Sequence, residues 1–435
     1  VSIKNLEKIK SNTMKKLLLS SLLASTLIFT GCFKDDDTPI IIEETTIIQN
    51  GGDNGSGSTV VDVTGAITEN TTWTSDNIYK LNQKVVVDAG ATLTIEEGTI
   101  IKGTPGTGSL ASALIVARGA KINAVGTPSK PIIFTSSSDN IEIGETAGTN
   151  LDENDRGLWG GLIILGYAPC SFSGDILEAQ IEGIPADDTF GLYGGTDPGD
   201  NSGVLSYISI RHGGALIGEG NEINGLTLGG VGNGTIINNI EVVANVDDGI
   251  EFFGGTVNAS NLLVWAQGDD AIDIDQAYSG TIDNAVVVLG DFSDHAFEID
   301  GPEGTATGSF TLQNATIIGN MVTENGEYAD YRSKAMGHTS NIFAYGFKAS
   351  SDIELDNDGV ATNYNDGLLT FGTWEIVLPD GVTDVTSIFL NKAESVTVSG
   401  FGDTASAVTL GSQTVGATTS NLAWTYSNTA GNLGF

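Results

Sequence analysis

Positive charge is what this sequence has least of. Its 435 residues include 18 Lys and Arg against 55 Asp and Glu, a formal net charge of −37. A basic footprint is missing, which excludes nucleic acid as a partner. The balance suits metal cations or a solvated acidic surface. Cysteine is almost absent, with Cys32 and Cys170 alone. Histidine occurs only at His212, His295 and His338, too few for a His-rich metal site. There is no Gly-x-Ser-x-Gly, no phosphate loop and no His-Glu-x-x-His, so the motif-bearing nucleophile, nucleotide and zinc-protease classes are excluded. Beyond the N-terminal leader no amphipathic helix is legible. Glycine, in contrast, is abundant at 58 residues and marks many tight turns.

Between Asn245 and Gly301 one pattern occurs three times. It reads Asp247-Asp248-Gly249-Ile250-Glu251-Phe252, Asp269-Asp270-Ala271-Ile272-Asp273-Ile274 and Asp294-His295-Ala296-Phe297-Glu298-Ile299. Gly249, Ala271 and Ala296 stand 22 and 25 residues apart, a solenoid coil length. Within each copy apolar and acidic residues alternate, so they face opposite sides of a short strand. Stacked coils bring equivalent residues to about 4.8 Å, the spacing of paired strands. Four outer columns follow: Asp247-Asp269-Asp294, Asp248-Asp270-His295, Glu251-Asp273-Glu298 and Phe253-Asp275-Asp300. The column Ile250-Ile272-Phe297 points into the core. Short β runs bounded by glycine fill the chain from about Val60. Such spacing also fits a sandwich, but the coil-length period favours a solenoid.

The N-terminus carries an address. Met14-Lys15-Lys16 precedes the apolar run 17–29 and then Thr30-Gly31-Cys32. This is the build of a secretory signal, with an apolar core too short to span a bilayer. Phe29-Thr30-Gly31-Cys32 resembles a bacterial lipobox, which implies acylation of Cys32. Lys34-Asp35-Asp36-Asp37 resembles the export signal of surface lipoproteins. The expected location is the outer membrane, held by the lipid, at the cell surface. With Cys32 lipidated no intrachain disulfide can form. Residues 51–58 are a flexible Gly/Ser tether.

Several stretches resemble right-handed parallel β-helix (pectate-lyase-like) bacterial surface proteins. They include Gly90-Ala91-Thr92-Leu93-Thr94-Ile95, Trp159-Gly160-Gly161-Leu162-Ile163-Ile164, and Asp247-Asp248-Gly249-Ile250-Glu251-Phe252-Phe253-Gly254-Gly255. The resemblance spans roughly residues 90–347. It implies an all-β fold, a right-handed parallel β-helix solenoid, with no reaction attached. The expected organisation is a leader at 1–31, lipidated Cys32 and linker at 32–64, the β-helix at 65–360 and a short β-rich C-terminal cap at 361–435. The irregular segments 137–156 and 168–202 are expected over the flank, where they could wall a groove.

Three functions fit this outline. The first is a glycan-binding or adhesion module facing an extracellular polysaccharide or cell-surface glycan, with Phe253 and Tyr278 as rings for sugar stacking. The second is a hydrolase. Asn245-Val246-Asp247, Gly268-Asp269-Asp270, Asp294-His295-Ala296 and Arg332-Ser333-Lys334 resemble the ordered motifs of polygalacturonases. That resemblance implies Asp270 as general acid, Asp247 and Asp269 activating water, and Arg332 with Lys334 holding a sugar carboxylate. The Gly-His-Gly of that family is absent at His295. The third is a calcium-dependent polysaccharide lyase, with Arg211, Arg332 or Lys334 as the base.

The acidic columns set one further expectation. Like charges about 5 Å apart repel by roughly 3 kcal/mol at an effective dielectric near 20. Raised pKa values, basic partners or a cation must compensate. No Lys or Arg occurs between 245 and 301. Oxygen-only ligands then favour calcium, held by Glu251, Asp273, Asp275, Glu298 and Asp300. The alternative is acids that splay into water, with Asp247, Asp248, Asp269 and Asp270 capping turns.

Overall fold

The computed structural model describes residues 48–49, 59–185, 188–217 and 222–435. Cys32, the leader and the glycine-rich tether lie outside them. The described chain winds as a right-handed parallel β-helix of three sheets. The third sheet stacks Ala113–Val116, Leu162–Leu165, Leu226–Gly229, Ile250–Phe253, Ile272–Asp275, Phe297–Ile299, Ala329–Tyr331, Ile353–Leu355 and Phe389–Asn391, all parallel. The first and second sheets share bent strands, among them Ile236–Val243, Asn258–Trp265, Thr281–Val288, Phe310–Ile318 and Gly337–Tyr345. At each bend sits an asparagine with positive φ: Asn239, Asn261, Asn284, Asn314 and Asn341, at 55° to 65°. Asparagine tolerates the left-handed region better than other side chains, so it turns the corner without glycine's entropy cost. Asn284 Nδ2 donates to Asn261 Oδ1 at 2.7 Å and Asn341 Nδ2 to Asn314 Oδ1 at 3.0 Å, tying coil to coil.

The register agrees with the sequence period. Ile250 pairs with Ile272 and Ile272 with Phe297, and all three are fully buried. Each such side chain contributes about 1.5–3 kcal/mol by leaving water. Two segments then cover outward faces. Over the early coils of the third sheet, Phe172, Ile181, Ile184 and Tyr193 from the 168–202 segment bury Ile163, Leu165 and Phe253 in a second apolar cluster. Past that cover the same face becomes acidic.

The second cover is the C-terminal segment, and here the boundaries move. Strand Thr59–Ile67 already pairs with Asn77–Val87, inside the expected linker. Coils continue past 360 to Ala405–Ala407. Residues 408–435 then form a strap along the second sheet rather than a cap over the end. Thr414 bonds Glu375, Ala417 bonds Thr316 and Thr418 bonds Asn284. Ser427 N and Oγ both donate to Glu241 Oε1 at 2.7 Å. The strap lays Leu422 over Val243, Leu263, Trp265, Val286 and Val288. Arg211, fully enclosed beneath it, faces Glu241 at 3.9 Å and the Tyr426 ring at 4.4 Å. Two short helices, Asp358–Asn365 and Tyr426–Ala430, also form. They carry no long apolar stripe to read. Asn357 caps the first through the Gly359 and Val360 amides, and Thr425 caps the second.

Candidate functional site

The outward face of the third sheet carries the acids. Parallel register places Glu251 beside Asp273, Asp273 beside Glu298, Glu298 beside Asp330 and Asp330 beside Glu354. The expected column is therefore real, and two rungs longer than its first three members. Asp330 and Glu354 escaped the repeat because the turn before Asp330 lengthens: Glu298 to Asp330 is 32 residues, after which Asp330 to Glu354 returns to 24. The alternation Ala329-Asp330-Tyr331 and Ile353-Glu354-Leu355 was the available signal.

A second column runs where the chain turns into this sheet. Asn224 Oδ1 accepts from Asp248 N at 3.2 Å, Asp248 Oδ1 from Asp270 N at 3.0 Å, and Asp270 Oδ1 from His295 N at 2.8 Å. Asp248 and Asp270 thus cap the next coil rather than their own turn. Asp270 Oδ1 also meets His295 Nδ1 at 2.8 Å. Burial pushes the Asp270 carboxyl up to about 7 even though the imidazole beside it pulls the other way. Burial opposes charge on His295, but the Asp270 bond and nearby carboxylates lift it to about 10. Asp270 is enclosed and committed to this pair.

Basic partners do arrive, from outside the 245–301 stretch. Arg332 occupies the coil after Asp300 and ion-pairs with Glu298, with Asp300 at 3.4 Å and Asp330 at 3.9 Å. Lys392 ion-pairs with Glu354 and lies 3.7 Å from Asp352. The five residues expected to hold calcium are therefore not gathered into one group. Glu298 and Asp300 already have a guanidinium, and Asp275 lines a separate cleft where its Oδ1 accepts from Gln276 N. Arg332 is likewise occupied and not free for a sugar carboxylate. Lys334 lies in that same cleft rather than beside Asp270.

Among the described residues two adjoining acidic groups make no ion pair with a basic side chain. Asp248, Glu251 and Asp273 bring one carboxylate oxygen each within 4.8 Å of one another. Asn224 Nδ2 donates to Glu251, and Asp273 Oδ1 is buried with no hydrogen-bond partner. Burial pushes all three carboxyls well above the usual range; Asp273 adds repulsion at Asp248 and Glu251, while at Asp273 the added repulsion comes from Asp275 and Glu298, and a hydrogen bond with Glu251 works the other way. Asp247 and Asp269 join Asp248 in an adjoining cluster, with Asp247 raised to about 7 by burial and by Glu182.

The cleft beside this face has a volume of about 610 Å³, with Asp275, Asp300, Glu303, Ser333 and Lys334 on its walls. Burial and the charges of Asp300 and Glu303 raise Asp275 to about 7. The two rings expected to stack on sugar do not reach it. Phe253 faces outward as alternation requires, but Tyr193 lies edge-on against it at 5.9 Å under the 168–202 segment. Tyr278 turns inward onto Phe252, 4.7 Å away, and its hydroxyl donates to Val257 O.

The crystal structure of the pectin methylesterase from Aspergillus niger is similar at 11% identity, over 82% of this chain and 87% of that one, with a TM-score of 0.30. No curated protein matches the chain. The family model described as a pectate-lyase like beta helix domain matches residues 65–429. That match takes in every coil of the acidic sheet, and the chain belongs to the pectate-lyase-like β-helix family.

Proposed function

We propose that this protein is a surface-displayed glycan-binding module that uses calcium. The observation that carries the reading is the Asp248, Glu251 and Asp273 group, buried at Asp248 and Glu251 and half-buried at Asp273, with no ion pair to a basic side chain among the described residues and with Asp273 Oδ1 lacking a hydrogen-bond partner there. Hard oxygen donors in irregular geometry suit Ca²⁺. A cation there offers its remaining positions to the carboxylates of an acidic polysaccharide laid along the sheet. The acidic face itself repels such a chain unless a cation lies between them. The test is binding of acidic polysaccharides in millimolar calcium and in excess chelator, on the parent and on Asp273→Asn. Binding that is present in calcium and lost in both other arms supports the reading. Binding indifferent to chelator removes calcium from it.

A second reading is cleavage of the same polysaccharide. Asp275, raised to about 7 by burial, shares an open cleft with Asp300, and two carboxyls on one cleft are the groups that acid–base cleavage of a glycosidic bond uses. Release of reducing ends or unsaturated products in that assay would establish it.

The location belongs to the same proposal: a lipid on Cys32 holds the chain at the outer membrane, facing outward. Cys32→Ala is expected to shift the protein from the membrane fraction to the soluble one. Unchanged partition would remove the anchor, and protease shaving of intact cells tests the outward face.

A further inference from the structure

At the opposite edge of the acidic sheet, where the coils turn into it, a second cavity of about 150 Å³ opens. Its walls come from three consecutive turns, through Trp265, Asp291 and Asn320, and from the long 137–156 segment, through Glu153, Asn154 and Arg156. Arg156 is the unusual member. In a chain with 55 carboxylates it makes no ion pair with any described residue, and its buried Nη1 has no hydrogen-bond partner. Asp291 acts on its charge from beyond ion-pair range. What holds the guanidinium is the Phe292 ring, 4.5 Å away. Phe292 is itself 65% exposed, and Met321 and Val322 on the next coil are 61% and 67% exposed. Asn320 Nδ2 donates to Asp291 Oδ1 at 3.0 Å and so fixes the two turns together.

We propose that this cavity binds the terminal ring of a neutral hexopyranose glycan, without calcium. The inference rests on the reading of the chain as a glycan binder and names a different site for it. A cavity of this size accepts one sugar ring. Carboxylates of Glu153 and Asp291 accept from sugar hydroxyls, while Asn154 and Arg156 donate to them. The exposed Phe292 face and its apolar neighbours offer a lip for the C–H side of the ring, and such patches mark binding sites on otherwise polar surfaces. A uronate fits less well, because two carboxylates share the cavity with one guanidinium.

The test uses methyl glycosides of neutral hexoses and of hexuronic acids, titrated by calorimetry in excess chelator, which silences the calcium-dependent site. The parent is expected to bind a neutral glycoside and to prefer it to the uronate. Phe292→Ala should weaken that binding about tenfold, equivalent to about 1.4 kcal/mol. Phe292 is mostly exposed, so the variant's melting temperature should not move. Arg156→Gln should weaken it as well, and Asp273→Asn should not. Absence of neutral glycoside binding in chelator overturns the site, as does binding that survives Phe292→Ala. Neither outcome touches the acidic-polysaccharide assay, which judges the broader reading by itself.

Discussion

Ile272→Asp is expected to leave little or no folded protein. Ile272 has no exposed surface and sits between Ile250 and Phe297 in the inward column of the third sheet. Removing the side chain forfeits about 1.5–3 kcal/mol of burial. The incoming carboxylate then lies in the core with no donor, which costs several kcal/mol more on top of it. The sum exceeds about 5 kcal/mol, the lower end of what holds an ordinary domain together. Ile272→Val at the same position should cost only about 0.5–1.5 kcal/mol. Soluble yield and far-UV melting of the two variants measure this. A soluble Ile272→Asp protein melting with the parent would mean the inward column is wrongly placed.

Without calcium, stability is expected to fall as pH rises from about 4 to about 7. Asp247, Asp270, Asp275, Glu327 and Asp330 are each raised to about 7, in every case first by burial. Unfolded, such groups release their protons near 4. Between those values the folded chain holds protons that the unfolded chain has lost, so stability is full below the unfolded value and drains through the folded one. His295, lifted from 6.5 to about 10, extends the fall upward with the same sign. His212, enclosed and held neutral, opposes it below about 6.5, but as one group against several. Calcium at the proposed site is expected to oppose the slope, because it binds only the deprotonated carboxylates. Its gain in melting temperature should therefore be small at pH 5 and largest at pH 8. At a calcium concentration a hundred times Kd the gain is about 2.7 kcal/mol, or several degrees. Melting curves at three pH values, with calcium and with chelator, read both slopes. A calcium gain that is absent, or equal at every pH, would be evidence against the Asp248, Glu251 and Asp273 site.

Much of this was legible in the residues. The alternation in Ile272-Asp273-Ile274 fixed which side chains point outward, and the coil length fixed which of them stack. Alternation says nothing of what lies over an outward face. Phe253 and Asp273 read alike, yet the 168–202 segment closes over the first, while the second keeps an unsatisfied oxygen. Charge partners were hidden for a related reason. Arg332 reaches Glu298 across a coil boundary set by a long turn, which no fixed period marks. The asparagine column at the bends was readable as spaced Asn residues, but a polar residue mid-strand carries no periodic signal of its own. Arg156 was hidden most completely, because its meaning lies in the partner it lacks.

The strap changes how such a molecule must come together. A solenoid bound only by nearest neighbours can grow coil by coil and fray from an open end. Here Ser427 reaches back 186 residues to Glu241. The apolar stripe of Val243, Leu263, Val286 and Val288 is laid down long before its cover exists. During synthesis that stripe stays open to other chains, and the last contacts to form are among the most distant in sequence, the slow kind. Once closed, the strap ties the coil of Glu375 to that of Glu241, so opening a coil between them strains a contact far away. The rod then loses its independent repeats and unfolds more nearly as one unit.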